Sequence, residues 1–165
     1  MAAIPQSVRD MVQMHPVEDI LLPLFREAIP DVPFYSQVPD KKKPFPFVMV
    51  RRSFTQMHWR GQLDWLDMAH ISVETFTQDV DGVSGDEQGA VLSEACRVAL
   101  LNFWQEQEIV PGRGHIVHVR MINEPRRIND WSTSTGPVQY ADLPTDVWRY
   151  ETIYRLTIRP PITDA

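Results

Sequence analysis

The chain is poor in the features that hold small secreted domains or membrane proteins together. It contains one cysteine, Cys96, and no cluster of cysteine and histidine at the spacing of zinc ligands. A disulfide scaffold and a zinc module are therefore both excluded. No apolar run approaches the ~20 residues of a membrane-spanning helix, and the first residues lack the charged and apolar regions of a signal peptide. We therefore expect a soluble protein that is made in the cytoplasm and contacts no membrane.

The length predicts a single domain over residues 1–165, in which residues 1–14 form an N-terminal extension. A chain of this size buries about 70% of the surface that it exposes when unfolded. A hydrophobic core is therefore sufficient to stabilise it.

Acidic residues outnumber basic ones, and the two signs are separated along the chain. The formal net charge is −6, yet residues 41–60 contain six bases and no acid, whereas residues 61–112 contain ten acids and one base. Because proteins that grip DNA have basic footprints, this balance argues against tight DNA binding, although not against DNA passing by. The two segments could meet within one chain or between identical copies. Alternatively, both are solvated surface, and Lys41–Lys43 between two prolines is typical of an exposed turn.

The first amphipathic segment predicts a helix that begins near Pro16 and continues to Ala28. Acids in its first turn suit the helix dipole. Pro23 interrupts the pattern, which predicts either a kink or a late start with Asp19 as the N-cap.

The second amphipathic segment predicts a long helix over residues 85–105. Ser84 and Glu87 form a capping box just ahead of the apolar pattern. We interpret Cys96 as a small buried hydrophobe and not as a nucleophile. The predicted buried stripe consists of Leu92, Ala95, Cys96, Ala99 and Phe103.

Alternating apolar and polar residues predict five strands, at residues 34–38, 45–54, 68–77, 115–124 and 148–159. The strands at 45–54 and 68–77 should pair. In the latter strand, Ala69, Ile71, Val73 and Thr75 form a packed face, and His70, Ser72 and Glu74 form a solvated one. This order of elements predicts an α+β fold, with two helices packed on one face of a mainly antiparallel sheet.

Two connections contain more apolar residues than a solvated loop needs. The loop at 55–67 contains Trp59 and Trp65, and the connection at 125–147 contains Trp131. Because exposed apolar clusters mark contact sites, we expect the first loop to be a contact surface. Connections of more than ~15 residues are uncommon without a function, so we expect a partner to order the second.

No combination of residues specifies a reaction, and we predict no catalytic residue, cofactor or metal. His115 and His118 lie three apart on a predicted strand, which places them on opposite faces and prevents both from binding one metal. A metal-dependent hydrolase remains an alternative, although no spacing rule connects the residues that it would use. These residues are His58, Asp64, Asp67 and His70.

Several segments between residues 45 and 159 follow one another in a distinctive order. They are VMVRR (48–52), a loop ending at Asp67, HISVETF (70–76), AVLSEACRVALL (90–101), Gly136-Pro137, Asp142, Asp146 and RYETIYRLTIR (149–159). Their order and spacing resemble those of the tail terminator proteins of long-tailed bacteriophages. Ser53-Phe54 departs from the glycine that often follows the arginines in that family, and the loop at 55–67 is enlarged.

The resemblance implies a small structural subunit of the virion that performs no reaction. Such subunits form a ring, commonly hexameric, that caps the tail tube at the head-tail junction and meets the head connector. Double-stranded DNA would pass through without specific binding. A different connector or stopper, or a minor tail subunit, is the alternative.

This role leads to two sets of expected contact residues. An acidic wall would repel DNA and let it slide, and the candidates for that lining are Asp79, Asp81, Asp86 and Glu87. The expected subunit or partner interface comprises Arg51, Arg52, Trp59, Trp65, Asp67, Trp131 and Arg149.

Overall fold

The computed structural model describes residues 4–9, 11, 15–37, 39, 45–53, 66–128 and 147–161. Within these ranges the chain forms three helices and seven strands. In chain order they are α1 (Gln6–Arg9), α2 (Val17–Ala28), β1 (Phe34–Tyr35), β2 (Phe47–Arg52), β3 (Asp67–Gln78), α3 (Gly85–Gln105), β4 (Ile109–Val110), β5 (Gly114–Met121), β6 (Arg126–Arg127) and β7 (Val147–Arg159).

The strands form one sheet in the order β1-β2-β3-β7-β5-β4, and β6 also pairs with β7. All pairs are antiparallel except β1 with β2. The two longest strands, β3 and β7, are neighbours and pair from Asp67 opposite Ile158 to Gln78 opposite Val147. The predicted α+β class and the predicted pairing of β2 with β3 are confirmed.

Helices α2 and α3 share a hydrophobic core with one face of the sheet. Phe25 of α2 links the layers, because its ring stacks on Phe34 of β1 with 5.0 Å between centroids and meets Phe103 of α3 edge-on at 5.3 Å. On β7 the predicted alternation is confirmed from Thr152 to Ile158, where every second residue is buried.

Helix α2 runs through its internal proline, so the predicted late start at Asp19 is wrong. Pro23 has no backbone N–H, which leaves the carbonyl of Asp19 without its usual donor four residues later. Arg113 fills this place, because its Nη1 donates a hydrogen bond to the Asp19 carbonyl at 3.0 Å. A distant side chain therefore compensates for the proline within the helix.

Helix α3 has the predicted bounds, but its start is not stabilised by the predicted capping box. The side chain of Ser84 makes no capping hydrogen bond. Instead, the N–H of Gly85 donates to Oδ1 of Asp79 at 2.6 Å. The predicted stripe is buried except for Ala95, which is half-buried.

The prediction of a solvated second face on β3 is wrong, since Ser72 and Glu74 are both buried. On that side of the sheet a smaller apolar cluster forms from Phe47, Met49, Phe76 and Val147. Arg51 of β2 and Arg149 of β7 contact Glu74 from the two neighbouring strands, and period-two alternation alone does not reveal such contacts.

Three strands are shorter than predicted. Phe34–Tyr35 falls short of the predicted 34–38, Phe47–Arg52 of 45–54, and Gly114–Met121 ends before residue 124. A bulge between Ile116 and His118 also breaks the period of two that placed His115 and His118 on opposite faces. The His118 ring lies 5.1 Å from that of Trp104 on α3, whereas His115 stands opposite Arg159 of β7.

Candidate partner-contact surfaces

An ion-pair cluster on β2, β3 and β7 centres on Glu74, which is completely buried. Nη2 of Arg51 lies 3.1 Å from its Oε1, and Nη2 of Arg149 lies 2.5 Å from its Oε2. The hydroxyl of Ser72 donates to Oε1 of Glu74 at 3.1 Å. Because a buried charge needs close compensation, Arg51 and Arg149 both act inside the chain.

Arg52, the neighbour of Arg51 on β2, is also engaged within the chain. Its guanidinium forms an ion pair with Asp67 at the start of β3, and its backbone N–H donates to Oε1 of Glu18 on α2 at 2.6 Å. Two cations of the basic segment 41–60 therefore meet acids of the segment 61–112 in the same molecule. The sequence left open whether the two segments meet within one chain or between copies. At Arg51 and Arg52 they meet within one chain.

The start of α3 is packed tightly against the ends of β3 and β7. A Cβ at Gly85 would lie 2.5 Å from Cδ1 of Trp148, and one at Gly89 would lie 2.8 Å from Cδ2 of Tyr150. The Thr77 hydroxyl donates to the carbonyl of Gly85 at 2.5 Å. Two glycines four residues apart thus allow the helix to approach the sheet more closely than any other residue would.

Two acids expected to face DNA hold this junction together. Asp79 accepts a hydrogen bond from Nε1 of Trp148 at 2.8 Å, and Asp86 accepts one from the Tyr150 hydroxyl at 2.9 Å. Burial, followed by the Asp86 carboxylate, raises the pKa of Tyr150, so the phenol remains a donor. Arg127 lies 3.6 Å from Asp86 and 3.9 Å above the Trp148 ring. Asp79 and Asp86 therefore have structural roles.

The other two acids are open to solvent, and Asp81 lies at the tip of a tight turn. Val80 and Val83 exchange backbone hydrogen bonds of 3.2 and 2.9 Å around Asp81 and Gly82. Both central residues have positive φ, 49° and 81°, as a type I′ turn requires. Val80 and Val83 are 52% and 51% exposed. We call residues 80–83 the acidic turn.

A row of basic residues crosses the sheet at the other end of β3. Arg155 on β7 stands directly opposite Arg120 on β5 and His70 on β3. Like charges in directly opposed positions destabilise a sheet. Neither arginine has an ion-pair partner in the described part of the chain. Sequence reasoning missed this row.

The model of the family described as phage tail termination protein matches residues 13–165. The chain belongs to this family. Phage tail termination proteins are structural components of the virion tail, so the suspected resemblance is confirmed and a structural role in the tail follows. No curated protein matches the chain.

The site residues expected for a phage tail termination protein fall into two groups. Arg51 and Arg149 both pair with Glu74, whereas Arg52 pairs with Asp67 at a separate place on the sheet. Trp59, Trp65 and Trp131 lie outside the described residues, as do His58 and Asp64 of the alternative metal site.

Three further observations on the described residues of this family member concern metal binding, membrane-spanning helices and the single cysteine. In the described ranges, no three histidines, cysteines or acids are grouped so as to hold a metal ion. No helix in the same ranges is long and apolar enough to cross a membrane. Cys96 is buried as predicted, and burial raises the pKa of its thiol to about 12. The thiol therefore remains protonated and unreactive at neutral pH.

Proposed function

We propose that this protein forms a closed ring of identical copies, six in number, that caps the tail tube and joins it to the head connector. The observation that supports the proposal is the family match, because it includes both long helices and the whole sheet. The separation of basic and acidic segments along the chain supports it further, since a ring closes through contacts between two different surfaces of each copy.

The mass of the assembled particle tests the ring. Native mass spectrometry of the pure protein, alone and after mixing with purified tail tubes, should give a species of about six times 19.1 kDa. A protein that stays at 19.1 kDa under both conditions contradicts the proposal.

Whether the ring binds the tail tube or the head distinguishes a tail terminator from another connector. A terminator should pull down tail tubes made of the major tail tube protein in the absence of heads, and purified heads with their connector should bind only after the tube is capped. A ring that binds isolated heads but does not bind tubes would identify the protein as a connector on the head side of the head-tail junction.

We also propose that DNA passes through the ring without being held, and that acids of the α3 start and its preceding turn face the passage. The four candidates differ, because Asp79 and Asp86 carry hydrogen bonds whereas Asp81 and Glu87 are solvated. An acidic wall keeps DNA mobile because it adds no phosphate contacts.

Retention of double-stranded DNA by the ring at low salt measures this repulsion. The wild-type ring should retain almost none, and Glu87→Lys should increase retention severalfold. Asp31→Lys makes the same charge change at an exposed site away from α3 and is the matched control. Tight retention by the wild-type ring contradicts a repulsive passage.

The loop tryptophans Trp59, Trp65 and Trp131 remain proposed contacts with the tube or connector. Arg51, Arg52, Asp67 and Arg149 remain proposed interface residues, but their ion pairs within the chain change how they can be tested. Charge reversal at Arg51 or Arg52 removes an intramolecular pair as well as any contact between copies. Loss of assembly in such variants is informative only if their circular dichroism and thermal unfolding remain normal.

A further inference from the structure

The row of basic residues on the sheet lies beside an exposed apolar side chain. Arg120 is followed, two residues later in the turn after β5, by Ile122, which is 51% exposed, whereas Met121 between them stands opposite the buried Tyr154 and points to the other face of the sheet. Together with Arg155 on the neighbouring strand, Arg120 and Ile122 form what we call the basic patch. It combines two positive charges, which have no ion-pair partner among the described residues, with one exposed apolar side chain.

The acidic turn has the complementary composition. Its two valines are half exposed, and the carboxylate of Asp81 between them forms no hydrogen bond or ion pair in the described ranges. Thus each surface carries exposed apolar side chains next to charge, Val80 and Val83 on one and Ile122 on the other, and the charges are of opposite sign.

The two surfaces cannot meet within one molecule. The acidic turn follows the last residue of β3, Gln78, while Arg155 lies opposite His70, eight residues earlier on the same strand. At about 3.3 Å per residue this separation exceeds roughly 25 Å along a rigid sheet. Two complementary regions far apart on the same chain are the requirement for a head-to-tail contact between copies.

We propose that the acidic turn of one copy docks on the basic patch of the next, and that this contact closes the ring. The inference rests on the proposed function and identifies the surfaces through which the copies associate. Of the acids proposed above to face the passage, it moves Asp81 to the contact between copies, and Glu87 keeps its proposed place at the passage.

A second copy fits the basic patch better than DNA does. A phosphate backbone would pair with Arg120 and Arg155 but would leave Ile122 without an apolar partner. The valines of the acidic turn supply such partners, and apolar groups buried beside a charge pair are typical of specific protein interfaces. An ion pair at this place also relieves the repulsion between the two opposed arginines.

Charge exchange between copies tests the proposal. Asp81→Lys and the double variant Arg120→Glu, Arg155→Glu should each raise the protein concentration for half-maximal assembly by more than about tenfold, because like charges then meet. An equimolar mixture of the two variants should assemble at nearly wild-type concentration. In that mixture the introduced lysine faces the two introduced glutamates at every second contact, and the native pair forms at the others.

Recovery in the mixture excludes misfolding as the cause of the losses, since neither variant could rescue an unfolded partner. Asp81→Asn provides a second check, because asparagine tolerates the positive φ of the turn and removes only the charge. It should weaken assembly less than Asp81→Lys. Asp31→Lys and Arg9→Glu, at exposed sites elsewhere, should leave assembly unchanged.

The outcomes separate this inference from the proposed function. If the wild-type protein forms rings and both charge variants do so equally well, the ring stands and the docking proposal is wrong. If the variants fail and their mixture also fails, the docking proposal is wrong as well. If the arginine variant assembles normally but loses binding to double-stranded DNA, the basic patch is a DNA contact. A wild-type protein that never associates, with or without tubes, overturns the ring itself.

Discussion

Replacing Glu74 by glutamine should lower the free energy of unfolding by about 3 kcal/mol or more. The substitution keeps the shape of the side chain but leaves the positive charges of Arg51 and Arg149 next to a buried neutral group. Arg149 is 11% exposed, so water cannot take over the role of the carboxylate. Urea unfolding followed by tryptophan fluorescence and by circular dichroism measures the loss.

The matched control is Glu94→Gln, which removes an ion pair of the same kind from the surface of α3. Glu94 pairs with Arg97 at 2.5 Å, but its side chain is 54% exposed. Solvent-exposed pairs contribute little, so this variant should unfold almost as the wild type does. Equal losses in the two variants would mean that the cluster around Glu74 is not buried in solution.

Removing the whole cluster should be less harmful than removing its centre. Apolar residues of similar volume can replace a buried ion cluster with little loss of stability, whereas an isolated buried charge cannot be accommodated. The triple variant Arg51→Met, Glu74→Leu, Arg149→Met should therefore be more stable than Glu74→Gln. A triple variant that is less stable than Glu74→Gln would show that the charged cluster stabilises the fold more than apolar side chains of similar volume do.

Gly85→Ala should destabilise the protein by about 2 kcal/mol. A methyl group there meets not only Trp148 but also backbone, at 2.7 Å from the carbonyl carbon of Gln78 and 2.9 Å from the nitrogen of Asp79. Alanine normally stabilises a helix by ~1 kcal/mol relative to glycine, so the expected sign is the reverse of the intrinsic preference. Thermal unfolding of the purified variant, compared with that of the wild type, measures the change in stability.

Gly89→Ala provides a comparison in which the obstruction can be removed. The nearest atoms to its Cβ belong to the side chains of Tyr150, at 2.8 Å, and Thr77, at 3.0 Å. In the background Tyr150→Val, the Gly89→Ala change should therefore cost less than in the wild type. No such relief is expected for Gly85→Ala on shortening Trp148. If both glycine variants are more stable than the wild type, the close approach of α3 to the sheet is wrong.

The α3 bounds could be predicted because an apolar stripe over about three turns is a strong local signal. The residue that caps α3 could not be predicted. Both Ser84 and Asp79 are candidates to accept a hydrogen bond from the first N–H groups of the helix, and only the packed structure determines which of them does. Asp79 reaches Gly85 and Trp148 together, and the second of these contacts spans 69 residues of chain. Local capping rules do not include a partner so distant in sequence.

Burial of Glu74 was missed for a similar reason. Its alternation with Val73 and Thr75 is typical of a strand with one solvated face. The arginines that compensate its charge lie on β2 and β7, 23 and 75 residues away, and strand order decides that both stand beside it. The pattern identified the strand correctly but contained no information about its neighbours.

The basic patch depends on a single extra residue. Ile116 stands opposite Ile158, and a regular ladder would place Val119 opposite Arg155. The bulge between Ile116 and His118 shifts the register by one, so that Arg120 takes this place. The sequence gives no signal for the position of the bulge, and the row of basic residues was therefore not predicted.

The central position of β7 has a consequence for how the protein is made. This strand lies between β3 and β5, yet it is the last of the three to be synthesised. Until it emerges from the ribosome, its two neighbours each present an open edge with nothing to pair with, and such edges invite aggregation. Because the closing contacts span some eighty residues, folding should be slow for a chain of this size and should complete only after translation of β7.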